Sequence, residues 1–432
     1  MESFFNSPIM IKIQEFGQAL GRNKFLSALQ AAMMSSMGVI MVGAISQILC
    51  SVGSSMFHLF TPDSQIYQIL YMPYNYTMNL LSVWIVGIMA FNYARNLGYE
   101  KPMISTIEAL ASFILVAGPL SPTQSGAMGI EMSNLGATGM FVGFIVVFIV
   151  VNIDKLCHDK KLYIRMPDVV PQFLQDGFAG IVPMLLNMIL FVGVDTAVSM
   201  ATGGQLGVCT GILALLAAPL GALTSIPGMF ILCIFAGILW CFGIHGSMVL
   251  ASIIMPLSIQ AVTSNVEAVA AGLDPVFYPV FLFAGLSACG GTGNTFPVAL
   301  FGLKFAKSEQ IKAVAKAGLV PGWFNINEPI TFGMPIMYNP ILCIPYVLSI
   351  PVNMLFFLIG YMTGLVKPAW IVVSGLLPMG FNRYLATLDW LTAAWDFLSI
   401  IPMSIIWFPF LKAYDKQLYA REQEALAAES EA

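Results

Sequence analysis

The chain has 432 residues, of which 58 % are hydrophobic and 9 % charged, where a soluble domain carries about a quarter charged residues. With a mean hydropathy of +0.84, it is not a disordered chain, a collagen-like chain, a disulfide mini-protein or an ordinary soluble enzyme. The net charge of −4 says little, because a membrane chain is read by where its charges sit.

The apolar stretches exceed the ~20 residues that a bilayer crossing needs, and the ~10-residue alternating segments of a transmembrane barrel are absent. The first 24 residues read as an amphipathic surface segment, and the run from Phe25 carries no charge until Asp63, too long for a signal h-region. Spans are expected near 27–50, 72–94, 102–118, 138–153 and 179–200, with a cytoplasmic stretch at 154–178. The interval 196–266 has no Asp, Glu, Lys or Arg and is broken by Gly203-Gly204, Pro219, Pro227-Gly228 and Pro256. A segment at 276–303, a basic linker at 304–316, a Pro- and Asn-bearing apolar stretch at 317–340 and spans near 341–365 and 391–411 follow. The reading is an all-α integral membrane protein with about ten transmembrane helices and hairpins that do not fully cross.

Basic residues cluster before the first span (Lys12, Arg22, Lys24), at Arg95 and Lys101, at Lys155–Arg165, at Lys304–Lys316 and in the tail, while 51–71 and 119–137 carry none. The positive-inside rule places the clusters and both termini in the cytoplasm. Three parts are expected: 1–205 with about five regular spans, 206–411 with interrupted segments, and a solvated helical tail over 412–432. Broken helices at membrane depth line cavities and mark substrate sites in transporters. Cys50, Cys157, Cys209, Cys233, Cys241, Cys289 and Cys343 have no C-x-x-C spacing and read as small apolar residues, not disulfide or metal ligands.

The strongest local signal is Pro321-Gly-Trp-Phe-Asn-Ile-Asn-Glu-Pro-Ile-Thr-Phe-Gly333. It reads as a hairpin tip carrying Asn325, Asn327 and Glu328. An ionisable residue in an apolar segment marks function by default. Glu328 fits two readings: a desolvated general base with a raised pKa, or a carboxylate capping a half-helix through neighbouring amides. In Trp240-Cys-Phe-Gly-Ile-His-Gly-Ser247, His245 is either a packing residue or a site residue beside the space opened by Gly243 and Gly246, with Trp240 placed to stack on a sugar ring. Gly290-Gly-Thr-Gly-Asn-Thr295 offers amides to an anion or makes a helix kink, and it lacks the Lys of a P-loop. Gly139 and Gly143 fit a helix-packing G-x-x-x-G. Glu108, Asp195, Asp389 and Asp396 are expected near helix ends, one of them open to a proton or sodium role.

On its length, its Phe25-Leu-Ser-Ala-Leu-Gln opening, the G-I-H-G around His245, the G-G-T-G-N-T at 290–295 and above all N-I-N-E-P-I-T-F-G at 325–333, the chain resembles the membrane-spanning C component (permease) of the sugar phosphotransferase system, in the lactose/cellobiose/chitobiose family. The resemblance covers essentially the whole chain. It implies a multi-pass protein of the bacterial cell membrane, a homodimer whose N-terminal scaffold builds the dimer interface, and a transport domain with two re-entrant hairpins. It implies transport of a disaccharide coupled to phosphorylation at its 6-hydroxyl by a phosphocysteine on a separate cytoplasmic B component. Glu328 would take the hydroxyl proton and His245 would hold the hydroxyl or steady the phosphoryl charge. Asn325, Asn327, Trp240, Gly246, Thr292 and Asn294 would shape the site or contact sugar. No cofactor, metal or nucleic acid is implied. The B partner is expected on the basic loops at 154–165 and 304–316. The competing reading is an ion-coupled secondary sugar transporter with Glu328 as its coupling residue.

Overall fold

Long apolar runs in this sequence have no internal partner for a backbone N–H or C=O except the helix itself, and in a bilayer that leaves helix as the default. The structure, a computed structural model, describes every residue except 1–7, 52, 55–57, 62, 124–125, 168, 205, 335, 374–376 and 432. In chain order the helices are α1 Pro8–Gly21, α2 Lys24–Ser35, α3 Met37–Ser51, α4 Gln65–Thr77, α5 Leu81–Asn96 and α6 Pro102–Ala117. A hairpin of β1 Leu120–Pro122 and β2 Met128–Ile130 follows, then α7 Met140–Asp159, α8 Gln172–Ala179, α9 Ile181–Ala201 and α10 Val208–Leu223. The remainder is α11 Ile226–Cys241, α12 Gly246–Ala270, a 3-10 turn Pro279–Leu286, α13 Phe296–Lys304, α14 Glu309–Trp323, α15 Glu328–Gly333, α16 Pro340–Met362, α17 Phe381–Thr387, α18 Trp390–Leu398 and α19 Ile400–Glu431.

The chain divides into two compact units, residues 22–221 and residues 1–21 with 222–432. In the first, Asn23 caps α2 by accepting from the Phe25 and Leu26 amides at 2.9 and 3.1 Å. Helix α5 packs against α2, α6 and α7. Gly143 lets α7 close on α5, since a Cβ there would stand 2.5 Å from Val86 Cγ2; small residues at such crossings give van der Waals packing where lipid removes the hydrophobic drive. The loop expected over 119–137 contains the antiparallel hairpin, with Leu120 opposite Ile130 and Pro122 opposite Met128. On α9, Leu185, Ile189 and Met200 are 58, 61 and 79 % exposed. A soluble surface would not tolerate that stripe, and lipid or a protein partner does.

In the second unit, α1 packs on α11 and α12, with the Phe16 and Phe235 rings 6.0 Å apart. Helix α16 packs against α11 and α19, and α14 against α13 and α15. Trp407, Tyr346, Ile330 and Leu411 lie fully buried in one core cluster. Of the stretch 412–432, expected as a solvated tail, residues 412–431 continue α19 without a break, and Leu418 is buried with Tyr414.

Among the described residues, six helices are long and apolar enough to cross a membrane, or up to eight if each of two bent pairs is one span; the expected ten are not reached by that measure. Pro219 and Pro256 sit inside α10 and α12 and do not end them, whereas Gly203 and Gly204, at φ 64° and 82°, do follow a helix end. The basic linker at 304–316 is largely the first half of α14. Glu108 is not at a helix end: it sits in the middle of α6 and is 2 % exposed. Asp195 accepts from the Val208 amide at 2.8 Å and Asp389 caps α18. Asp396 pairs with Arg383 at 3.4 Å. All seven cysteines are free and buried.

Candidate functional site

Three turns of the second unit carry the sequence signals, and each is fixed by backbone chemistry. Helix α11 ends where the Gly243 amide donates to Trp240 O at 2.9 Å and the Ile244 amide to Leu239 O at 3.0 Å, with Gly243 at φ 77°. That is a Schellman end, which needs a left-handed residue and places the next helix start close by. His245 caps that next helix, its Nδ1 accepting from the Met248 amide at 3.2 Å. Gly246 is obligatory here, since any Cβ would collide with the Ala236 carbonyl of α11.

The hairpin of α14 and α15 ends by the same device. The Asn325 amide donates to Gly322 O at 3.0 Å and the Ile326 amide to Pro321 O at 2.9 Å, with Asn325 at φ 61°. Asn is the common non-glycine choice at such a position. Pro321 therefore lies in the last turn of α14. Glu328 opens α15 with Pro329 beside it. Its carboxylate accepts no bond from a neighbouring amide among the described residues, so it is not a helix cap.

The Gly-rich turn at 290–295 joins the two. Gly290, Gly291 and Gly293 have φ of 84°, 83° and 77°, and a Cβ on Gly291 would stand 2.7 Å from Asn327 Cβ and 2.9 Å from Asn325 O. Asn325 Oδ1 accepts from the Gly290 amide at 2.9 Å, and Asn327 Nδ2 donates to Thr292 O at 2.8 Å. Asn294, fully buried, accepts from the Cys289 amide at 3.1 Å and from Asn353 Nδ2 at 2.8 Å. The Gly291, Gly293 and Asn294 amides donate to Ser287, Leu286 and Gly291 carbonyls. These amides are spent within the protein, which makes the turn a structural joint. Thr292 and Ser247 share a 2.5 Å hydroxyl–hydroxyl bond, which ties the joint to the start of α12.

The joint sets His245 Nε2 3.9 Å from Glu328 Oε1. Their side chains are 36 and 44 % exposed, the open part of the constellation. The expectation of a dry Glu328 is not met in this arrangement. Because Nδ1 holds an acceptor role, a neutral His245 carries its proton on Nε2, facing the carboxylate. Trp240, 3 % exposed, lies with its ring 4.3 Å from the imidazole and supports it from behind.

A model of the family "Phosphotransferase system, EIIC" matches residues 30–349. The chain belongs to the phosphotransferase-system EIIC family. It is similar to the oligo-beta-mannoside-specific EIIC component of Bacillus subtilis (strain 168), at 31 % identity over 96 % of this chain and 95 % of the relative. It is also similar to the lactose-specific EIICB component of Streptococcus mutans serotype c (strain ATCC 700610 / UA159), at 30 % identity over 96 % of this chain and 73 % of the relative. The crystal structure of the transporter ChbC, the IIC component from the N,N'-diacetylchitobiose-specific phosphotransferase system, superposes with a TM-score of 0.87 at 26 % identity, covering 97 % of this chain and 99 % of that one.

In this EIIC chain, Trp240, His245, Gly246, Thr292, Asn294, Asn325, Asn327 and Glu328 all fall in one compact unit. Sequence reasoning missed Ser247, Tyr346, Ser349, Asn353 and Trp407. Tyr346 OH lies 3.4 Å from Asn327 Nδ2, and Ser349 Oγ and Trp407 Nε1 donate to Gly293 O at 2.7 and 3.1 Å. Only Ser247 had a local signal, its place next to the G-I-H-G motif.

Proposed function

We propose that this permease carries a β-linked disaccharide of the cellobiose or diacetylchitobiose type and presents its 6-hydroxyl for phosphorylation by a phosphocysteine on a separate cytoplasmic B component. The observation that carries the reading is the His245–Glu328 pair. A hydroxyl donates one hydrogen and accepts another, and the pair offers the complement: one N–H donor and one carboxylate acceptor 3.9 Å apart. A hydroxyl oxygen about 2.8 Å from each closes that triangle.

In the transfer, the sulfur–phosphorus bond of the partner breaks as the oxygen–phosphorus bond forms. The hydroxyl proton passes to Glu328 and the thiolate leaves on the partner. The chain's own contribution is positioning and proton acceptance, which is most of what phosphoryl transfer asks of a protein. His245 holds the hydroxyl oxygen, and Asn325, Asn327, Thr292 and Asn294 set the place of Glu328 relative to it. Trp240 and Gly246 fix the imidazole. The relatives named for oligo-beta-mannosides and lactose support a β-linked substrate.

The same reading takes the chain as a homodimer in a bacterial cell membrane with both termini cytoplasmic. Its N-terminal half is the scaffold and its second half carries the sugar. The B component docks on the basic stretches at 154–165 and 304–316.

Uptake into proteoliposomes tests it. Labelled cellobiose and diacetylchitobiose are supplied without an ion gradient, with and without a phosphorylated B-type partner. Sugar 6-phosphate should accumulate only with the partner. Uptake independent of the partner and driven by an imposed proton or sodium gradient would overturn the reading in favour of ion-coupled transport.

A further inference from the structure

In the unit of residues 22–221, α6, α7 and α9 bring together two carboxyls that lie outside the sugar-site unit. Glu108 and Asp154 are 2 and 1 % exposed. Asn187, fully buried, donates from Nδ2 to Glu108 Oε2 at 2.9 Å and to Asp154 Oδ1 at 3.3 Å. The carboxyls face one another, and Ser105 faces Asp154. Four buried oxygens are left without a hydrogen-bond partner: Glu108 Oε1, Asp154 Oδ2, Asn187 Oδ1 and Ser105 Oγ. Gly180, between α8 and α9, keeps room beside the first of these, since a Cβ there would stand 3.4 Å from Glu108 Oε1 and 2.9 Å from Ile104 Cγ2.

No counter-charge reaches this pair among the described residues. The titratable groups facing it from the packed elements are Tyr99 and Cys157, neither of them basic. Lys101 is spent on Asp176 at 2.7 Å and Lys155 on Asp159 at 2.8 Å. Two carboxylates out of water with one amide between them are too costly to stand uncompensated. Four free oxygens fall short of the 6–8 ligands of calcium, and among the described residues no third His, Cys, Asp or Glu joins to hold a divalent metal.

We propose that Glu108, Asp154, Asn187 and Ser105 form a binding site for one monovalent cation, a proton shared between the carboxyls or an alkali ion. The site is independent of the sugar chemistry, so its test does not depend on transport.

The full-length chain and the isosteric variants E108Q, D154N and E108Q/D154N are purified in detergent. Infrared spectra in heavy water report the carbonyl stretch of a protonated carboxylic acid, and thermal unfolding is followed with sodium or potassium chloride against choline chloride at constant ionic strength. A protonated-carboxyl band at neutral pH in the wild type, absent from the double variant, establishes a bound proton. With it, the wild-type folding constant should fall up to tenfold per pH unit above the ordinary carboxylate range, because the folded state then holds one more proton than the unfolded chain. An alkali ion would instead leave no band and raise the unfolding midpoint over choline in the wild type alone. Neither a band nor a cation-specific midpoint shift in the wild type overturns the site, whether or not the double variant folds.

Discussion

His245 Nδ1 is committed to the Met248 amide, which leaves Nε2–H as the hydrogen the imidazole can offer to a substrate. The two roles separate by mutation. Asn is a good N-cap, so His245→Asn should keep the start of α12 and a wild-type unfolding midpoint while losing the Nε2 donor. Sugar affinity is expected to fall about two- to tenfold, the worth of one ordinary hydrogen bond, with transfer falling at least as far. Unchanged affinity by calorimetry would return His245 to a packing role. Glu328→Gln keeps shape and a hydrogen-bonding group but cannot take a proton, so binding should hold while phosphorylation drops by roughly 10²–10⁴. Both residues were legible in the sequence, because a titratable group in an apolar run is costly enough to need a reason. The asparagines were legible only as polar. Nothing local tells that the Asn294 amide is consumed by Cys289, Gly285 and Asn353, which leaves it a builder of the joint.

The α14–α15 hairpin that presents Glu328 is held at its base by the C-terminal helix. Asp415 accepts from the Lys307 amide at 3.0 Å and the Ser308 amide at 2.9 Å. Glu422 accepts from Ser308 Oγ at 2.6 Å, the Glu309 amide at 3.1 Å and the Gln310 amide at 3.2 Å. A carboxylate at these orphan N–H groups also complements the helix dipole. The Ser308 hydroxyl, and then the two amides, hold the Glu422 carboxyl below its ordinary pKa. The folded pKa is the lower one, so this contribution is present above the unfolded value of about 4.3 and is lost as pH falls through the folded pKa. Wild type and Glu422→Gln should therefore differ in unfolding midpoint at neutral pH and converge in acid. Parallel curves down to acid pH would show that Glu422 does not clamp the hairpin. The sequence showed a charged, helical 412–432 and suggested a solvated tail. It could not show that one face of that helix meets the start of α14, because the pairing spans more than 100 residues.

Helix starts, stops and apolar runs are local, so the all-α membrane architecture was legible; which helices pack together is not local. The expected division near residue 205 followed a change in composition, whereas the compact units change over at residue 221 and the second takes in residues 1–21. Helix α1 is far in sequence from its neighbours yet packs on α11 and α12, the two helices that flank His245. Its basic and apolar residues suggested a surface segment, and only the fold gives it a partner. Deleting residues 2–21 should consequently loosen α11 and α12 and weaken sugar binding while leaving α5, α6 and α7, packed within the other unit, as protected as before. Hydrogen exchange read by mass spectrometry resolves the two. Faster exchange is expected across 226–270 and unchanged exchange across 81–159. Equal loosening of both regions would mean that α1 supports the whole chain, and no change in either would make it dispensable to the fold.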